Sequence, residues 1–459
     1  MGFAFVVYYI FRASEDVVAS DYIRIINYYL IDVKDLKYLF SIGSISRIPF
    51  TFLARFINVV WFKYSTYFDR ILGVTGLFIL NINVLKYIQN TIQNKKLKDI
   101  SIIITTFIVF SLMSWELILN GTGYAHFISI GLFSIAIIYL ADIDNIKSQI
   151  CFILLMIITA IFFAAQYIVA FAFTSIFFAI IYLIRDIVIK TNNKKLIFIR
   201  ILNIITASFC IVLYFVSDKI AGSITPVGFK ETTLLEVIKE NPIFPIKFIL
   251  KSLASAIIGV ETFQYALNFN TINENVILFV GFIYLLVVIF TLVVTISNIK
   301  TAIKNKSKLD LVPIIFIMYG LINFMLVFFA RYKFVRDDYG MSSRYSIQYM
   351  FLTIGIVITL FKYIDDKFNI KNKMSKNIVS FISILCIFFI TLGHITTIED
   401  EIFKADYRKI LYKNLENIAV NYEEYNDEEL ENAFEYRRGV DQIKDALNIL
   451  KNQKLNVFR

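Results

Sequence analysis

The stretch ICFILLMIITAIFFAAQYIVAFAFTSIFFAIIYLI, Ile150 to Ile184, decides the fold. It runs for about 35 residues without a charged side chain, whereas one helix crosses the roughly 30 Å of bilayer hydrocarbon with about 20. The block therefore predicts two spans joined by a tight hairpin near Ala164–Gln166. Other apolar runs of about 17–25 residues recur on both sides of it. Their apolar positions are continuous rather than alternating, which excludes a membrane β-barrel. The expected class is an all-α, polytopic transmembrane helical bundle.

Outward from that block, short Lys-rich loops separate the runs. QNTIQNKKLKD holds Lys95, Lys96 and Lys98, RDIVIKTNNKKLIFIR holds Lys194 and Lys195, and IKTAIKNKSKLD and KYIDDKFNIKNKMSKN follow the same pattern. Counting spans alternately puts every one of these loops on one side, the cytoplasmic side by the positive-inside rule. The count is about eleven spans, with the N-terminus inside and the C-terminus outside. The first run, GFAFVVYYIF, covers only about ten residues, so either the chain starts upstream of Met1 or this helix is short and tilted. No basic n-region or small-residue cleavage site marks it as a signal peptide.

Composition agrees with a membrane protein and excludes other classes. The 459 residues are 58% hydrophobic and 18% charged, with a mean hydropathy of +0.69. The net charge of +10 resides in loop lysines that act as orientation signals, so no nucleic-acid partner is expected. Cys151, Cys210 and Cys386 lie inside apolar runs, and the histidines are His126 and His394. Neither a disulfide framework nor a thiolate or histidine metal centre follows from them. No cofactor is expected, and nothing in the sequence supports a divalent metal. With no GxxxxGK[ST] phosphate loop, ATP and nucleotide sugars are not expected as direct partners.

The outer segments are far longer than connections require. They are 12–69, 217–275 and 331–346, within a transmembrane domain 1–397, followed by a small extracytoplasmic helical tail, 398–459. IPFTFLARFINVVWFKY and FPIKFILKSLASAIIG read as interfacial helices. Function is therefore placed on the outer face. Glu15, Asp16 and Asp21 follow the first run, where a partly desolvated carboxylate can take a proton from a sugar hydroxyl, or simply be a solvated acid. Glu116 sits in apolar SWELIL, as a functional carboxylate or as the partner of an arginine from another outer segment. His126 and Tyr345 are expected to line the same cavity.

RYKFVRDDYGMSSRYS, Arg331 to Ser346, carries Arg331, Lys333, Arg336 and Arg344 beside Asp337 and Asp338. Basic residues are scarce outside, so this cluster calls for a reason other than insertion. Arginine forks suit the oxygens of a lipid phosphate. The competing reading is a salt-bridge network that satisfies itself.

ASEDVVASDY, SRIPFTFLARFINVVWF, WELILNGTGYAH and RDDYGMSSRY occur in an order that resembles bacterial integral-membrane glycosyltransferases of the GT-C superfamily, especially Gram-positive members. The resemblance covers most of the chain. It implies inverting transfer of a sugar from a polyprenyl-phosphate donor to a glycan or glycolipid acceptor at the outer face of a bacterial plasma membrane. It points to Asp16 or Glu15 as the catalytic carboxylate, with Asp21 behind them, and to Arg344 with Arg336 as holders of the donor phosphate. An O-antigen-type polysaccharide polymerase and a flippase for lipid-linked glycans are the alternatives.

Overall fold

The computed structural model describes residues 1–40, 49–163, 168–188, 193–220, 229–268, 272–304, 309–368, 373–436 and 438–459. Among them there is no strand. The helices are, in order, α1 (Gly2–Ala13), α2 (Asp21–Ile25), α3 (Pro49–Phe62), α4 (Thr66–Thr91), α5 (Lys95–Val109), α6 (Trp115–Asn120) and α7 (Tyr124–Ala141). Next come α8 (Ile146–Ile158), α9 (Ile168–Val188), α10 (Lys194–Ile220), α11 (Leu234–Glu240), α12 (Phe244–Ser255), α13 (Val260–Asn268) and α14 (Glu274–Lys304). The last five are α15 (Val312–Arg331), α16 (Ser343–Phe368), α17 (Lys373–Val420), α18 (Asp427–Phe434) and α19 (Val440–Gln453).

Ten helical stretches among the described residues are long and apolar enough to cross a membrane, so the chain is a multi-pass helical membrane protein. The hairpin at Ala164–Gln166 lies outside the described residues. The stretch before it ends at Phe163 and α9 begins at Ile168. Lipid gives no hydrophobic drive for helices to associate, so close packing has to hold them together. Gly76 of α4 shows how: a Cβ there would lie 2.2 Å from the carbonyl oxygen of Phe127 on α7. Any side chain at 76 would push these two helices apart. The most enclosed span is α16, with 89% of its apolar window buried, against 28% for α17.

The two ends of the bundle differ. At one, Asp365 accepts the backbone N–H groups of Gln93 and Asn94, and Lys362 pairs with Asp310, so the first turn of α5, with Lys95, Lys96 and Lys98, sits there. The opposite end, where α4 starts, gathers the segments around residues 14–40, 229–268, 331–346 and the C-terminal helices. The division at 397/398 falls inside α17, a single helix of 48 residues. At 1.5 Å per residue that is about 70 Å, more than twice the hydrocarbon thickness. Beyond it the tail does not stand apart. Val18, Ile23 and Ile26, which follow α1, share one core with Leu430, Leu447 and Leu450 of α18 and α19. The expected interfacial helix is α3, but its Arg55 is buried and stacks on Tyr29 at 4.8 Å instead of facing water.

Candidate functional site

The late segment is built from short turns between two long helices. After α15 the chain makes a single tight turn, Tyr332–Phe334, and Val335 takes φ +53°, a left-handed conformation that costs a β-branched residue steric strain. That kink presents Arg336, whose Nε and Nη2 hold both oxygens of Asp338 at 3.1 and 2.8 Å. Burial pushes the Asp338 carboxyl up, yet the Arg336 fork outweighs it and holds the group below the usual aspartate range. Arg331 lies 5.6–5.9 Å from the rings of Phe334, Tyr339 and Tyr345, an aromatic cage for its guanidinium. Tyr345 is buried. Lys333 contributes its carbonyl, which accepts from the backbone N–H of Lys230 at 3.0 Å.

Beside this segment is a cavity of about 600 Å³, walled by α12, α13, the start of α14 and residues 335–341. Lys251 stands in its wall with 8% of its side chain exposed, 2.7 Å from Asp337 and 2.8 Å from Glu274. Burial alone would lower its pKa; the hydrogen bonds to Asp337 and Glu274 outweigh that and hold it above the ordinary lysine value. Lys247 also pairs with Glu274, at 3.2 Å. Phe244, Phe263 and Met341 supply an apolar surface opposite these charges. A chamber with a charged rim and an apolar wall suits an amphipathic ligand whose head is anionic or polar.

Arg344 and Glu116 form an ion pair, and Ser343 Oγ donates to the same carboxylate at 3.0 Å. Glu116 thus takes the second role read for it, as partner of an arginine from another segment. Asp21 lies close enough to Arg344 to interact with it electrostatically, while Asp16 lies elsewhere. His126 is half-buried in the first turn of α7. Glu15 accepts from Tyr67 at 3.3 Å and pairs with Lys409 at 3.4 Å.

Asp16 is bonded on all sides. Ser65 Oγ donates at 2.6 Å, the Thr66 N–H at 2.6 Å, Thr66 Oγ1 at 2.9 Å, Arg459 Nη2 at 2.9 Å and Asn456 Nδ2 at 3.4 Å. The Thr66 bond satisfies one of the orphan donors at the start of α4, where an anion also meets the positive end of the helix dipole. With its lone pairs committed, this carboxylate is poorly placed to receive a proton from a substrate.

The sequence reading missed Lys247, Lys251 and the pair Glu401–Arg408. Lysines four apart in the apolar FPIKFILKSLAS were a usable signal, since that spacing puts both on one helix face. Glu401 is buried where α17 packs against α1, and Arg408 reaches it from further along the same helix, a pairing that the sequence does not display. Among the described residues no group of three or more His, Cys, Asp or Glu side chains is arranged to hold a metal ion. No family model, no curated protein and no solved structure matches this chain.

Proposed function

We propose that the chain is a membrane glycosyltransferase that moves a sugar from a polyprenyl-phosphate carrier to a cell-envelope glycan or glycolipid. In this reading the end bearing the late segment faces the outside of a bacterial plasma membrane, and the Lys-rich loops face the cytoplasm. One observation carries it: the late segment and α12 bring Arg336, Lys247 and Lys251 to the rim of a partly apolar cavity at the end of long apolar helices. The isoprenoid chain of a carrier would remain in lipid while its phosphate reached that rim. Arginine and lysine there stabilise the phosphate most strongly as it departs with full charge, which lowers the barrier to transfer. Asp16 becomes a structural anchor of the first outer segment, and the base is sought elsewhere.

The test is to complement a deletion strain with the double variant Lys247→Ala/Arg336→Ala and determine envelope monosaccharide composition. The expected outcome is loss of the same sugar that the deletion loses, with normal amounts of protein in the membrane. An envelope that the deletion leaves unchanged sinks the reading. Shortened glycan chains with unchanged sugar composition would favour a polymerase.

A further inference from the structure

One face of α17 stays uncovered along most of the helix. It starts at Ile378, passes Leu385 and Leu392, and continues through Phe403, Tyr407 and Ile410, which are 80%, 63% and 57% exposed. At 3.6 residues per turn these six positions fall within about 60° of one another, so they form a single straight stripe. The opposite face, with His394, Thr397 and Glu401, is buried in the bundle.

Lipid accounts for only the first part of the stripe. Glu399, Asp400, Glu401 and Lys404 follow one another closely in sequence and mark where the helix leaves the hydrocarbon. From Ile378 to Glu399 the helix covers about 30 Å, which is the hydrocarbon thickness. At the average tilt of about 20°, Ile410 then stands about 15 Å above that boundary, past a headgroup layer of about 5–7 Å. Phe403, Tyr407 and Ile410 thus carry the apolar stripe out of the membrane, and a contiguous apolar patch in water marks a contact site.

We propose that this stripe pairs in parallel with the same stripe of a second copy of the chain, over residues 378–410, with Phe403, Tyr407 and Ile410 as the anchor above the membrane. The inference does not depend on the glycosyltransferase reading. The cover has to run through lipid for about 30 Å and then continue upright beyond it. Among the described helices α17 alone is built so, with 48 residues against 31 for α14, the next longest. Copies of one membrane protein insert with the same orientation, so a two-fold axis along the membrane normal brings the two stripes together in register. A contact strip about 48 Å long and about 10 Å wide on each copy buries on the order of 1,000 Å² in total, the size at which specific interfaces begin. One position opposes the pairing: Glu399 is exposed on the stripe, and the two copies bring their Glu399 carboxylates together. The pair also reaches the cavity, because Thr397 and Asp400 of α17 accept from the Gly259 N–H at 2.8 Å and from Thr262 at 3.0 Å, where α13 begins.

The experiment is disulfide cross-linking of the full-length chain in membranes, with Cys151 and Cys386 first changed to Ala and Phe403→Cys or Tyr407→Cys then added. Each added thiol should give a product of twice the 53.3 kDa chain, and the background should give none. Subunit counting by photobleaching in liposomes separates a stable pair from chance collisions. There Phe403→Glu should weaken association at least about tenfold, and Glu399→Gln should strengthen it about threefold. Both side chains are exposed, so neither change disturbs the fold. No doubled product while both thiols react with maleimide overturns the proposal. Thiols shielded from maleimide without a dimer overturn it too, by laying a strongly tilted α17 in lipid. A product of any other mass puts a different protein on the stripe. A dimer that Phe403→Glu leaves within about twofold has its interface elsewhere.

Discussion

Asp16 and Asp338 lie at the same end of the bundle, and each is bonded to an arginine, but their surroundings differ. Asp16 has 11% of its side chain exposed and collects donors from Ser65, Thr66, Asn456 and Arg459. Asp338 has 38% exposed and shares its ion pair with Arg336, which is itself 64% exposed beside the cavity. The first carboxylate is surrounded because it ties the start of α4 and residue 16 to the C-terminus. The second pair can open, and whatever enters the cavity can take over the arginine. Charge alone therefore does not mark a site; the number of committed lone pairs and the access to a cavity do.

The largest expected effect breaks the closed side of this comparison. Asp16→Ala leaves the Thr66 N–H, Asn456 and Arg459 without their acceptor in a poorly hydrated place. It should cost about 3 kcal/mol and lower the thermal midpoint in detergent, with sugar incorporation per folded molecule little changed. If Asp16→Asn, which retains one acceptor oxygen, remains folded yet abolishes incorporation, the assignment of Asp16 as an anchor is wrong.

An intermediate effect is expected at Lys251, which belongs to both descriptions because it is buried like Asp16 but lines the cavity. Lys251→Met strands Asp337 and leaves Glu274 with Lys247 alone. Breaking a fully buried pair costs more, but both acids are partly exposed, so about 2 kcal/mol is expected. Adding Asp337→Asn should return about half of it in a double-mutant cycle of thermal midpoints, and strict additivity would show that the two residues are not coupled.

The bundle and the Lys-rich loops were legible because a membrane imposes long uninterrupted apolar runs and a charge bias that the chain must spell out locally. What stayed hidden was pairing. Asp16 meets Arg459 across 443 positions and Glu116 meets Arg344 across 228, and no periodicity in either stretch encodes such contacts. The contact of Arg408 with Trp115 is of the same kind, because it forms only where α17 continues past residue 397.

The smallest change in stability should come from Asp338→Asn, and it discriminates most finely between an open site and a closed network. Arg336 is mostly exposed, so losing the pair should alter stability by no more than about 0.5 kcal/mol. If the rim binds phosphate, Asp338 competes with the ligand for Arg336, and removing its charge releases the fork. A like charge a few ångströms away in a watery rim is worth about 1 kcal/mol, so inorganic pyrophosphate should inhibit sugar transfer about fivefold more tightly in the variant. Acid should act in the same direction. Because the Asp338 carboxyl is held low when folded, its pairing is complete above the unfolded pKa of about 3.9 and is lost as pH falls through the lower folded value. Pyrophosphate binding by the wild type should therefore approach that of the variant only in that acid range. Unchanged or weaker inhibition of Asp338→Asn would mean that Arg336 serves its own loop, and that the late segment is as closed as the nest around Asp16.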